Sequence, residues 1–170
     1  MAANSKDAIV LLREDHRTVE KLFKEFESAE GDGRKERLAR QICLELSVHA
    51  AIEEEIFYPA CQGAVEEELL KESYVEHDAA KVLIAEIEAA EGKNDEFFDS
   101  KVKVLQEEIQ HHVEEEEKPG SGVFAQARKG KLDLASIGEQ LAARKKELTE
   151  SYKSGGVPAP ELTTMDEVSV

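Results

Sequence analysis

The stretch that decides the fold is HAAIEEEIFYP, which runs from His49 to Pro59. It places His49 and Glu53 four residues apart, and on a helix of about 3.6 residues per turn such side chains share one face. The spacing recurs in HHVEEEE, where His112 and Glu116 repeat it. Because a histidine and a carboxylate on one face can bind a metal ion together, the first question is whether the two pairs meet.

The composition limits the classes of protein to which the chain can belong. The chain has 170 residues, of which 41% are hydrophobic and 35% charged, with no Trp, a profile that favours one helical domain. A net charge of -16 repels phosphate backbones and anionic membrane surfaces, so we expect neither a nucleic-acid partner nor membrane association. The sequence shows no long apolar run and no signal-peptide pattern, which predicts a cytoplasmic protein. Cys43 and Cys61 are predicted to be free thiols, because a helix would separate them by roughly 25 Å.

Four amphipathic helices are predicted, and each carries one histidine on its apolar stripe. We place the helices at residues 5–29, 34–58, 64–91 and 94–118, with Asn94 capping the fourth and Pro59 and Gly63 ending the second. The stripe histidines are His16, His49, His77 and His112. His111 lies about 100° to one side of the fourth stripe, so the register selects His112 instead.

Short connections between these helices predict an all-α fold, an up-down-up-down antiparallel four-helix bundle over residues 5–118. The segment PGSG, residues 119–122, ends or kinks the fourth helix. A further helical pattern from Leu132 to Leu148, with Asp133 as its cap, predicts a docking helix within residues 119–153. Residues 154–170 have the composition of a disordered tail.

The histidines are expected to lie in one layer of the bundle. Counted from the turns, their heights differ by four residues or fewer, which is roughly 6 Å along a helix. A carboxylate on an apolar stripe is costly unless it is paired or binds a cation, and this points to Glu53 and Glu116 as further ligands. A purely structural bundle, in which each histidine has an ordinary hydrogen-bond partner, is the alternative.

The ligand types narrow the choice of metal. Imidazole with carboxylate favours iron, zinc or manganese over calcium or magnesium. Six ligands are too many for one four-coordinate zinc and suit two metal ions bridged by glutamates. The candidate metal ligands are His16, His49, Glu53, His77, His112 and Glu116.

Over about residues 7 to 150 the chain resembles the hemerythrin HHE cation-binding family. The resemblance rests on DHRTVEKLFKEFE, VHAAIEEEIFYPA, VEHDAAKVLIAEIE and KVKVLQEEIQHHVEEEE, which occur in this order. It implies a bundle with two non-haem iron ions, as Fe2+ or Fe3+, bridged by carboxylates and an oxo group. It also implies that one iron is held by His16 and His49, the other by His77 and His112, and that Glu53 and Glu116 bridge them.

The chain departs from the oxygen-carrying members at Ser73, where those proteins have a further histidine. One iron would then lack a nitrogen ligand, which leaves a position for water, a small ligand or a nearby oxygen donor. Tyr74 and Glu76 are the candidates for that donor. Glu20, one turn after His16, is either an acceptor for an imidazole N–H or an ordinary surface residue.

The resemblance predicts a protein that binds O2, peroxide or nitric oxide at an open iron position, for sensing, storage or detoxification. The first alternative is an enzyme, a di-iron peroxidase, catalase or nitric oxide reductase, because an open iron site can act as a Lewis acid and redox centre. The second is an iron-storage or iron-sensing module. The sequence favours binding over dedicated catalysis and does not identify a protein partner.

Overall fold

A computed structural model describes residues 6–91 and 93–166, and this part of the chain is helical with short connections. The helices are α1 Ala8–Ser28, α2 Asp32–Ile52, α3 Tyr58–Cys61, α4 Glu67–Ala89, α5 Phe98–Glu117, α6 Val123–Lys129 and α7 Leu134–Gly155. A π-helical turn, Glu53–Phe57, joins α2 to α3 without a break. The predicted start of the first helix, at residue 5, lies outside the described residues.

Helices α1, α2, α4 and α5 form the predicted four-helix bundle. Helix α1 packs against α2 and α5, and α4 packs against the same two helices. The buried apolar residues form two clusters: one includes Val19, Phe23, Ile42, Ile84 and Leu105, the other Ile9, Leu12, Ile52, Tyr58 and Leu141. Cys43 and Cys61 are buried free thiols, as predicted. Among the described residues, no helix combines the length and apolar character needed to cross a bilayer.

The helix starts test the predicted caps. Asp133 caps α7 as predicted, because its Oδ1 accepts the Ser136 N–H at 3.0 Å. The prediction that Asn94 caps the fourth helix is wrong. That helix begins at Phe98, after a turn in which Asp95 Oδ1 accepts the Phe97 N–H at 2.9 Å.

The second helix runs past Pro59, contrary to the prediction, and ends at Cys61, two residues before Gly63, the other predicted end. It continues through the π-helical turn to Cys61, and the Tyr58 N–H donates to the Glu53 carbonyl five residues earlier. In a regular helix the Pro59 ring would clash with the Glu55 carbonyl, and the wider turn relieves that clash. The proline therefore changes the helical register instead of ending the helix.

Helix α6 was not predicted. Helix α5 ends at Glu117, before the segment PGSG, as expected. A Cβ on Gly122 would lie 2.6 Å from the Glu116 carbonyl oxygen, so only glycine allows the chain to turn back this tightly. The turn places Phe124 of α6 in a stacked contact with His16, with ring centroids 5.6 Å apart.

The C-terminal part is more ordered than its composition suggests. Helix α7 packs against α1 and α2 and extends to Gly155, seven residues beyond the predicted end. The prediction of a disordered tail is wrong for residues 154–166, since Thr163, Thr164 and Met165 donate backbone hydrogen bonds to the buried Asp78 carboxylate. Residues 167–170 lie outside the described part. The division into domains at residues 118 and 153 stays a prediction.

Gly138 sets the distance between α7 and the start of α1. A Cβ there would lie 2.9 Å from the Ala8 nitrogen and closer still to the Lys6 carbonyl oxygen. We expect Gly138→Ala to lower the free energy of unfolding by about 1 to 3 kcal/mol, because α7 must move outward. Urea unfolding measures this change.

Gly155→Ala is the matched control, because a Cβ at Gly155 meets no atom within 4 Å. Its free energy of unfolding should stay within about 0.5 kcal/mol of the parent chain. Equal effects of the two substitutions would show that α7 does not pack this closely.

Candidate metal centre

Four histidines from four helices meet at the centre of the bundle. His16, His49, His77 and His112 are each at most 6% exposed. The Nε2 atoms of His16 and His49 are 3.2 Å apart, and those of His77 and His112 are 3.3 Å apart. Two nitrogens at this separation can both lie roughly 2.1 Å from one ion, which is an ordinary metal–imidazole distance. The layer predicted from residue counting is therefore present, and it consists of two histidine pairs.

Glu53 and Glu116 lie between the two pairs and are fully buried. Glu53 places one oxygen 3.1 Å from His49 Nε2 and the other 3.1 Å from His77 Nε2. Glu116 lies with Oε2 3.3 Å from His16 Nε2 and Oε1 3.5 Å from His112 Nε2. Each carboxylate thus reaches both histidine pairs.

The donor atoms form two compact groups, and within each group they lie within 4.8 Å of one another. One group has four donors (His16, His49, Glu53 and Glu116), and the other has three (Glu53, His77 and His112). Glu53 Oε1 and Glu116 Oε2 are buried without a hydrogen-bond partner, an arrangement that costs free energy unless a cation is bound. The structure therefore brings together all six predicted residues, and their donor set fits metal ions.

Each histidine also contacts a carboxylate on the side away from the centre. Because an ionised carboxylate only accepts hydrogen bonds, each Nδ1–H donates, and the Nε2 lone pair is directed inward. The acceptors are Glu117 for His16 at 3.1 Å, Asp15 for His49 at 3.1 Å, Glu54 for His77 at 3.0 Å, and Glu76 for His112. These four carboxylates, called the outer ring below, were not predicted.

The outer ring connects the four helices in a closed circle. Every member is the chain neighbour of one of the six central residues but contacts a histidine on the next helix. Asp15 of α1, for example, follows this rule, since it precedes His16 and accepts from His49 of α2. The circle runs from α1 to α2, to α4, to α5 and back to α1. Basic residues on the outer side contact three members: Lys145 contacts Asp15, Lys81 contacts Glu54, and Arg17 contacts Glu117.

The side chains of the centre favour positive charge. Burial disfavours the charged form of His49, but the carboxylates of Glu53 and Asp15 outweigh burial and raise its pKa to about 10. Burial would raise the pKa of Glu53, yet the neighbouring histidines His49, His112 and His77 hold that pKa well below its ordinary value. A metal ion must therefore displace protons when it binds here.

Tyr58 is a central residue that the sequence analysis missed. Its hydroxyl donates to Glu116 Oε1 at 2.7 Å, lies 3.0 Å from Glu53 Oε2 and is 3.2 Å from His77 Nε2. In a regular helix Tyr58 would point about 140° away from Glu53, and the π-helical turn brings both to one face. The proline that follows Tyr58 was the available sequence signal, because it disturbs a regular helix at this point.

Tyr74 and Glu76 were predicted as substitutes for the histidine that is missing at Ser73. Neither belongs to the two groups of donor atoms at the centre. Tyr74 packs edge-on against Tyr58, with ring centroids 5.3 Å apart, and Glu76 belongs to the outer ring. Ser73 is buried, and its hydroxyl donates to a backbone carbonyl of its own helix. Burial and the carboxylates of Glu116 and Glu53 raise the pKa of Tyr58 well above its ordinary value.

Two smaller predictions concern single side chains on α5 and α1. The choice of His112 over His111 agrees with the structure, since the His111 side chain is 66% exposed and the His112 side chain is 5% exposed. Glu20 does not accept from His16: it pairs with Arg17 at the surface, 3.1 Å away, which agrees with the surface alternative.

A four-helix bundle with buried histidines and carboxylates at its centre defines a cation-binding helical protein. The family model of the hemerythrin HHE cation binding domain matches residues 7–119, and the chain belongs to this family. The fold is similar to that of a hemerythrin HHE cation binding domain-containing protein from Mycobacterium kansasii. The TM-score is 0.71 at 19% identity, with 89% of this chain and 94% of that chain covered.

A curated relative comes from Nostoc sp. and is called a DNA nickase. It is 32% identical over 118 residues, which is 69% of this chain. The chain spans about a third of the length of that relative, since the match covers 32% of it. The name therefore describes a much longer protein.

The two adjacent histidines of α5 provide a matched pair of variants. We expect His112→Ala to lose at least one metal ion per chain, because it removes a donor 3.3 Å from His77 Nε2. His111→Ala should keep the metal content of the parent chain. Elemental analysis of the purified proteins measures both, and equal losses would contradict the assignment.

Proposed function

We propose that the chain binds two iron ions at this centre and uses them to bind O2 or a related small ligand, either peroxide or nitric oxide. The binding would serve sensing, storage or detoxification. The observation that carries the proposal is the position of Glu53 and Glu116, each of which reaches both histidine pairs. When bound, iron supplies Lewis-acid and redox chemistry, while the surrounding residues hold and orient it.

The donor set supports iron but requires a test against zinc. Imidazole and carboxylate donors suit iron, zinc and manganese. The group of His16, His49, Glu53 and Glu116 could by itself hold a four-coordinate zinc. The shared use of Glu53 by both groups favours two ions over one, because a single zinc would leave the buried second group without a cation.

We assign the Tyr58 hydroxyl as the oxygen donor for the ion held by His77 and His112. It would replace the histidine that oxygen-carrying members have at the position of Ser73. The support is its distance of 3.2 Å from His77 Nε2 and its contacts with both bridging carboxylates.

Turnover of peroxide or nitric oxide is the second candidate function. The observation in its favour is the Tyr58 hydroxyl beside Glu116, which in this alternative keeps its proton and holds it next to a small ligand instead of binding the metal. We propose no nucleic-acid function from the relative called a DNA nickase, because a net charge of -16 opposes phosphate binding.

Metal content and visible absorption test the proposed function. The chain is purified without oxygen, its iron, zinc and manganese are measured, and spectra are recorded before and after exposure to air. About two irons per chain, with a visible band that changes in air, are the expected result. One zinc per chain, or no specific metal, would overturn the proposal. Catalytic loss of added peroxide or nitric oxide would identify the second candidate.

Tyr58→Phe tests the assigned oxygen donor. The variant should fold and keep iron, because the six inner ligands remain, but it should lose the visible band of a phenolate bound to iron(III). Tyr74→Phe is the matched control, since Tyr74 only packs against Tyr58, and it should keep the band. An unchanged spectrum of Tyr58→Phe would exclude Tyr58 as a ligand.

A further inference from the structure

A cavity of about 420 Å³ extends from the four histidines of the centre to the C-terminal segment. We call this cavity the chamber. Its inner wall is mainly apolar and includes Val19, Leu46, Ala80, Ile84 and Ile109. An apolar cavity of about 150 Å³ in another protein is large enough to bind benzene. The chamber is therefore larger than O2 or nitric oxide requires.

The outer wall of the chamber is formed by residues 157–163. This segment faces residues of α2 and α4, among them Ala50 and Lys81, which line the same cavity. Lys81 Nζ donates to the Glu161 carbonyl oxygen at 3.0 Å. The segment therefore lies between the chamber and solvent.

Asp78 holds the end of this segment. Its carboxylate is fully buried and takes no part in the metal centre. It accepts the backbone N–H groups of Thr163, Thr164 and Met165 at 2.9, 2.6 and 3.0 Å, and the Thr164 hydroxyl at 2.8 Å. A buried carboxylate is costly unless it is hydrogen-bonded, so these four bonds hold the end of the segment against α4.

The charges around the chamber favour neutral ligands. Within the described part of the chain, Lys81 is the basic residue other than histidine that lines it, and Lys81 pairs with Glu54 at 2.9 Å and with Asp78 at 3.5 Å. Asp15, Glu54, Glu55 and Glu161 line it as well. The imidazoles that line it are already paired, with the outer ring on one side and with Glu53 and Glu116 on the other. An anion would lose its hydration without gaining a free cation, whereas a neutral apolar molecule would gain burial.

We propose that the chamber binds small, neutral, mainly apolar molecules next to the metal centre, and that residues 157–165 form its lid. Its use as the route by which ligands reach iron rests on the proposed function. Binding in the chamber itself does not require a metal. The two proposals can therefore fail separately.

Binding of two matched probes to the metal-free full-length chain tests the chamber. Benzyl alcohol is neutral and benzoate is anionic, while the two share one aromatic ring and a similar size. Titration calorimetry should give an affinity for benzyl alcohol at least tenfold higher than for benzoate. Equal affinities, or no binding of benzyl alcohol, would overturn the proposal.

A cavity-filling substitution locates the probe. Ala80→Leu adds volume inside the chamber and should weaken benzyl alcohol binding at least tenfold. Val82→Leu is the matched control on the exposed side of α4, and it should bind like the parent chain. Circular dichroism checks the fold, and Ala50→Leu is the second filling variant if Ala80→Leu does not fold. Unchanged binding in a folded filling variant would place the probe elsewhere.

Thr164→Pro tests the lid, because proline removes the backbone donor and the hydroxyl that contact Asp78. We expect a glutamate-specific protease to cleave after Glu161 at least tenfold faster in this variant, and benzyl alcohol to dissociate faster. Asp166→Pro is the control, since its proline lies beyond the last donor, Met165. The lid proposal is wrong if both variants behave like the parent chain.

Discussion

The central constraint of this structure is the burial of two carboxylates, Glu53 and Glu116, in the middle of a helical bundle. Neither side chain is more than 1% exposed, and each has one oxygen without a hydrogen-bond partner. Such groups would oppose folding unless positive charge lies beside them. The inward-directed imidazoles, the outer ring and the basic residues beyond it are all ways of meeting that requirement. The sign of the charge therefore alternates from the centre outward. The inner carboxylates are negative, the imidazoles favour positive charge, the outer ring is negative and the basic residues beyond it are positive.

The sequence revealed the six central residues because they interrupt a regular pattern. A histidine or glutamate on an apolar stripe of period 3.6 is conspicuous, and counting from the turns predicted that these residues meet. The outer ring was not predictable in this way. Glu54 and Glu117 lie in acidic runs that resemble solvated helix faces, and Glu76 is a single acidic residue beside His77. Only the packing of a neighbouring helix shows which carboxylate meets an imidazole.

Other features were missed because they depend on departures from regular structure. The position of Tyr58 depends on one extra residue in a helical turn, and a periodic pattern assumes that no such insertion exists. The C-terminal segment looked disordered because its own composition supplies little apolar surface. Its order comes instead from Asp78, which lies more than eighty residues away in the chain.

Glu54 connects the metal centre with the lid. Its carboxylate accepts from His77 Nδ1 at 3.0 Å and from Lys81 at 3.0 Å, and Lys81 in turn donates to the Glu161 carbonyl of the lid. Movement of the lid would therefore change the surroundings of an outer-ring member that orients His77. Because the outer ring is a closed circle of hydrogen bonds, it connects His77 with the other three helices of the bundle. The same hydrogen bonds that direct the imidazoles inward thus provide a physical link between the chamber and the centre.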